Sequence, residues 1–109
     1  MKTYRLALKM VREIAAINRC IERRDADLAR QLRRASMSVP LNISEGMYSR
    51  GKNRSVRLSN AMASAKESVA CLEVAVAVDY LDRQSIVEAL AQLDHLVAAL
   101  WNMVHKPWR

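Results

Sequence analysis

The sequence predicts an all-α fold, an antiparallel up-down four-helix bundle, and three observations carry that prediction. Two glycines and two prolines in 109 residues are too few for the turns of a sandwich or barrel. The chain is 51% hydrophobic, which argues against disorder, yet it has no Phe, so its core is built from Leu, Val, Ile, Met and Ala. Finally, apolar residues recur at steps of three and four in four successive segments joined by a few polar residues, and short connections make neighbouring helices antiparallel. The length suits one domain, 1–109.

The first helix, about 3–23, places Ala7, Met10, Val11, Ile14, Ile17 and Ile21 on one side. Arg24-Asp25 interrupts it. Asp25 is a good N-cap for the second helix, and Asp27 in its first turn suits the helix dipole. That helix carries Leu28, Leu32, Ala35, Val39, Ile43 and Met47, with Pro40 inside the series. Proline removes the bond to the Ser36 carbonyl, but the apolar phase survives it, which predicts one helix kinked at Pro40 rather than two. Gly46 and Gly51 mark its end. The third helix, about 54–81, has the seam Leu58, Met62, Ala65, Val69, Leu72, Val76. A second face of small residues, Ala61, Ser64, Ser68, Cys71 and Ala75, predicts a partner beyond the monomer's own core. The fourth helix opens on the capping box Ser85-Ile86-Val87-Glu88, continues Leu90, Leu93, Val97, Leu100, Val104, and stops before Pro107.

No stretch is long and apolar enough for a membrane span, and Lys9, Arg12 and Glu13 cut the N-terminal apolar run before a signal sequence forms. The expected compartment is the cytoplasm. Cys20 and Cys71 are expected to be free, buried thiols. A short chain buries about two-thirds of its unfolded surface, so self-association would add stability.

Little supports catalysis. Gly46 to Lys52 matches the start of a phosphate-binding loop, G-x-x-x-x-G-K, but Asn53 follows where Ser or Thr would hold magnesium, and no strand is predicted before it. His95 and His105 lie ten residues apart without metal-ligand companions, and Glu67 and Glu73 do not form a di-iron pattern. The expectation is a protein that is not an enzyme and takes no metal or cofactor.

Charge is more informative. The net +7 divides into 14 Lys/Arg against 5 Asp/Glu in residues 1–57, giving +9, and 4 against 6 in residues 58–109, giving −2. At 100° per residue, Lys2, Arg5, Lys9, Arg12, Arg19 and Arg23 share a sector of about 100° opposite the apolar side of helix one. Arg30, Arg33 and Arg34 follow on helix two, and Arg50, Lys52, Arg54 and Arg57 flank the next turn. Guanidiniums match phosphate oxygens well, so this stripe suits the backbone of RNA or DNA. The alternative is assembly, in which the basic half of one copy docks on Asp79, Asp82, Glu88 and Asp94 of another, closing a ring or running on as an open helical assembly.

Residues 31–46 add a motif. Gln31-Leu32-Arg33-Arg34-Ala35-Ser36 and Ser38-Val39-Pro40-Leu41-Asn42-Ile43-Ser44-Glu45-Gly46 resemble the pattern Q-x-R-R-A-x-x-S-[IV]-P-x-N-I-x-E-G of the four-helix-bundle proteins encoded in intervening sequences of 23S ribosomal RNA genes. Ser64-Ala65-Lys66-Glu67 resembles that family's G-S-x-x-E segment on helix three. A more distant, architectural resemblance is to the accessory variability protein of diversity-generating retroelements. The resemblance implies a left-handed bundle forming homo-oligomers, typically pentamers, without enzymatic activity. For the retroelement relatives it also implies nucleic-acid binding and a reverse-transcriptase partner. The motif positions Ser38, Pro40, Asn42, Glu45, Gly46 and Glu67 carry over, with Arg33 and Arg34. Asn42 and Glu45 would satisfy carbonyls freed by Pro40, and Glu67 would meet one of the arginines; equally, the motif suits a purely structural role. This chain departs from the pattern at Val56 and Leu58, where the family tends to carry aromatics, and at Ala63, where it tends to carry Gly.

Overall fold

A computed structural model describes residues 1–106. Four helices account for nearly all of them: α1 (Lys2–Glu22), α2 (Ala26–Met47), α3 (Gly51–Ala77) and α4 (Val87–His105), with a single 3₁₀ turn, Arg83–Ile86, before α4. Each helix packs on two neighbours in cyclic order, α1 on α2, α2 on α3, α3 on α4 and α4 back on α1. The result is an up-down bundle 48 × 22 × 20 Å in extent. No described helix is long and apolar enough to cross a membrane.

Local chemistry sets the boundaries. Asp25 caps α2 as expected, its carboxylate accepting from the Leu28 N–H at 2.9 Å. Helix α3 ends in a paired-bond reversal: Tyr80 N–H donates to the Ala75 carbonyl and Asp79 N–H to that of Val76. Asp79 holds the left-handed backbone (φ 64°) that this motif requires and that short polar side chains tolerate. The predicted Ser85 capping box does not form. Asp82 is the cap instead, its carboxylate accepting from Ser85 N–H at 2.9 Å, so Ser85 lies inside the 3₁₀ turn and its hydroxyl donates to the Asp82 carbonyl.

The two glycines bracket the end of α2 at Met47, as expected, and each has a further role. Gly46 is buried in the last turn, where a Cβ would stand 2.9 Å from Leu58 Cδ2, so its lack of a side chain lets α3 approach closely. Gly51 opens α3 with φ +59°, a left-handed backbone that favours glycine. Starting at Gly51, α3 gains a turn over the predicted 54–81 and ends four residues sooner.

The core joins Met10, Ile14 and Ile21 of α1, Leu32, Val39 and Ile43 of α2, Leu58 and Leu72 of α3, and Leu93, Leu96 and Leu100 of α4. Met47 is not part of it; it lies 42% exposed near the end of α2. The second face of α3 needs no further partner to be buried. Ala61, Ser68, Cys71 and Ala75 are covered within the monomer, and Ser64 donates to Ser38 of α2 at 2.9 Å, because small side chains let these two helices approach closely. Both cysteines are free, but Cys20 is exposed, since its position falls at the edge of the basic side of α1 and away from Ile21. Burial, reinforced by the Glu67 charge, pushes the Cys71 thiol up, keeping it protonated. Pro107, the expected stop signal, lies outside the described residues.

Helix α2 runs through Pro40 as a single helix, and Pro40 is buried. Since its ring already sits in helical backbone, Pro40→Ala should leave the bundle folded, adding the N–H that can reach the Ser36 carbonyl. Thermal unfolding monitored by circular dichroism checks this; a chain unfolded at 25 °C would show that the proline is essential to packing.

Tyr80 ties the far end of the bundle together. Its hydroxyl donates to Asp25 Oδ2 at 3.1 Å, and the Arg24 guanidinium lies 5.5 Å from its ring centre. The hydrogen bond to the Asp25 carboxylate, with burial and the carboxylate's charge, raises the phenol above its ordinary value, against the opposing charge of Arg24. A raised folded-state pKa contributes stability that is full below the unfolded value, about 10, and is lost as pH rises through the folded one. Tyr80→Phe should therefore lower stability at neutral pH and flatten its decline above about pH 10, measurable as melting temperature against pH.

Candidate nucleic-acid interface

The basic residues of α1 are all exposed. Lys2, Arg5, Lys9, Arg12, Arg19 and Arg23 lie opposite the buried series Ala7, Met10, Ile14, Asn18 and Ile21. Arg30, Arg33 and Arg34 are exposed on α2. The α2–α3 turn lies at the same end of the bundle as the start of α1, by the up-down topology. There Arg50, Lys52 and Arg57 are exposed and Arg54 is half-buried.

The packing joins these groups into one surface. Arg19 of α1 and Arg33 of α2 line a cavity of about 160 Å³ between those helices. On the other flank of α2, Arg34 and Arg57 share a groove with Ser38, Asn42 and Glu45. Further along the same flank, Arg30, Arg34, Gln31 and Ser38 meet Ser64 and Glu67 of α3 in a groove of about 450 Å³. Guanidiniums thus bracket α2 on both sides, and the two motif segments, far apart in sequence, converge where α2 meets α3.

Within this surface Glu22, Glu45 and Glu67 lie near the arginines, but ion pairs are few. Among the described residues the one ion pair is Arg30 to Asp27, 3.0 Å apart and well exposed. Glu67 shares the groove with Arg30 and Arg34 but forms no ion pair with either, contrary to expectation. The proposed proline compensation also differs. Asn42 Nδ2 donates to the carbonyl and hydroxyl of Ser38, each at 2.9 Å, rather than to the Ser36 carbonyl. A helical side chain reaches back one turn, and one turn before residue 42 is 38. A carboxylate accepts hydrogen bonds and cannot satisfy a freed carbonyl; at Glu45 it is the backbone carbonyl that takes part, accepting from Ser49 Oγ at 2.8 Å. The motif therefore builds a polar chain Asn42–Ser38–Ser64 that pins α2 to α3.

Sequence periodicity did not reveal two features. Met37 and Leu41 lie on the outer side of α2 among the arginines, Leu41 65% exposed, and Tyr48 follows the helix 90% exposed. Their signal is that they fall outside the core series of α2. Asn18 occupies a core position of α1, between Ile14 and Ile21, and is only 8% exposed.

A family model described as 23S rRNA-intervening sequence protein matches residues 1–102. Among solved structures, the chain is similar to a crystal structure of a protein with unknown function from the S23 ribosomal protein family of Bacteroides thetaiotaomicron VPI-5482. The TM-score is 0.86 at 16% identity, covering 95% of this chain and 99% of that one, a likeness of fold. No curated protein matches the chain in sequence.

Proposed function

Since this chain belongs to the 23S rRNA-intervening sequence protein family, we propose that it acts as a non-catalytic, homo-oligomeric bundle that binds the backbone of RNA or DNA through its basic face. The observation that carries this reading is the scarcity of ion pairing: the thirteen cationic side chains of that face spread over α1, α2, the start of α3 and the adjoining turns, with a single ion pair among them. Unpaired guanidiniums and ammoniums are free to displace the counterions condensed on a polyphosphate. On α1, Arg5 to Arg23 spans about 27 Å at 1.5 Å per residue, a length equal to about eight base-pair steps along a duplex axis.

The assembly reading has its own support. Exposed Met37 and Leu41 on α2 and Tyr48 just after it, with Val56 and Val74 on α3, add apolar area to an arginine-rich surface. Met, Tyr and Arg are enriched at protein interfaces. In that reading the basic face meets another copy or an acidic partner, as a structural or adaptor contact. The two readings separate in a titration of labelled RNA and duplex DNA at 50 and 200 mM salt. Backbone binding predicts affinity at the lower salt that falls sharply at the higher; absence of binding at 50 mM leaves the assembly reading.

A further inference from the structure

The turn between α2 and α3 presents an aromatic ring in the middle of its charge. Tyr48, the residue that ends α2, is 90% exposed. Among the described residues the ring–ring and cation–ring contacts are those of Trp101 and Tyr80, so the Tyr48 ring has neither. Helical spacing sets it in line with Leu41, two turns earlier, and with Arg34, two turns before that. Leu41 and Arg34 share a groove with Arg57 of α3, and Arg57 in turn packs beside Gly46, two residues from Tyr48. From residue 46 to residue 66 the chain has no Asp or Glu, and it has five cations, Arg50, Lys52, Arg54, Arg57 and Lys66.

Resting on the backbone-binding reading above, we propose that the Tyr48 ring stacks on one base of a single-stranded nucleic acid, which makes the single strand the preferred form of the ligand. Every base has a π-face, so such a contact needs neither an enclosing pocket nor a particular sequence. Charge identifies the occupant. Arg50, Lys52, Arg54 and Arg57 attract phosphates, and the first turn of α3 has no acid and no capping side chain, so its free N–H groups add to that potential. A second copy of the chain laid on this turn would have to bring acids for all four cations together, whereas a strand brings one phosphate with each base. In a duplex the base faces are stacked on one another, and only phosphates and groove edges face outward. The ring therefore gains nothing from a duplex, while an unpaired base can lie flat on it.

The test measures binding of a single-stranded RNA 12-mer and of the RNA duplex of the same sequence at 50 mM salt, for wild type, Tyr48→Ala and Tyr48→Phe. Losing a base-stacking ring should weaken single-strand binding by Tyr48→Ala at least about fivefold. Duplex affinity should change by less than about twofold, and melting temperature should hold, because the ring packs on nothing. Tyr48→Phe keeps a flat ring and should keep single-strand affinity within about twofold. In proton NMR of the wild type, the Tyr48 ring signals should move upfield on adding the single strand, the mark of a base lying over the ring. Those of Tyr80, at the far end of the bundle, should stay in place. Unchanged single-strand affinity in Tyr48→Ala, or an equal loss for both forms, overturns the stacking proposal and leaves backbone binding standing. A Tyr48→Ala chain that sediments as a smaller assembly while still binding the single strand puts a second copy on the ring, which also overturns it. Failure of both forms to bind wild type overturns the backbone reading and this one with it.

Discussion

Reversing three charges on one side of α1, as Arg5→Glu, Lys9→Glu and Arg12→Glu together, is expected to lower affinity for RNA or DNA by at least about 100-fold at 50 mM salt. The reasoning is electrostatic. Each phosphate contact contributes close to one unit to the slope of log affinity against log salt. Five contacts from Arg5, Lys9, Arg12, Arg19 and Arg23 give a slope near −4.5 on duplex DNA, or about 500-fold between 50 and 200 mM salt. Removing three leaves a slope shallower by about 3, and three new carboxylates then repel the strand. The net charge of the chain falls from +7 to +1. All three side chains are exposed and opposite the core, so the fold should survive; surface changes of this kind are usually within about 0.5 kcal/mol each. Sedimentation of the same variant reads the competing account. A variant that keeps its oligomeric state and loses binding places ligand on the stripe, and one that becomes monomeric places a subunit there.

The largest expected effect on stability is at the centre of the bundle. Leu72→Ala should cost about 2–5 kcal/mol, the transfer free energy of the lost atoms together with the cavity they leave. Leu72 is fully buried on α3, on the seam that faces the core and beside the tight α2 contact, so its neighbours have little room to collapse into the space. For a domain of this size each kcal/mol lowers the melting temperature by about 4–8 °C, giving a fall of at least about 8 °C. Chemical denaturation would give the free energy directly. A change below 1 kcal/mol would mean that Leu72 is not packed as described.

Most of the fold was legible because helical periodicity is a local, repeated signal. Leu32, Val39 and Ile43 kept their phase through Pro40, and α2 is one helix. What periodicity could not reveal was which element would cover a face. The small residues of α3 suggested an outside partner, yet Ala61, Ser68, Cys71 and Ala75 are buried within the monomer and Ser64 meets Ser38 of α2. Ser85 looked like a cap because sequence spacing cannot distinguish it from Asp82, three residues earlier, whose carboxylate is the stronger acceptor. The basic face was legible as a stripe on α1, since charge follows the same 100° rule as apolarity. Its continuation across α2 to Arg57, and the cavity beside Asn18, depend on how the helices dock and are visible only in three dimensions.

The central claim is that nucleic acid meets the α1–α2 face. The most direct measurement is an NMR titration of labelled protein with a short RNA at low salt, following arginine side-chain and backbone signals. The account predicts shifts concentrated at Arg5, Arg12, Arg19 and Arg33, with the α3–α4 groove around Trp101 unmoved. Shifts confined to that groove, or none at all, would contradict it.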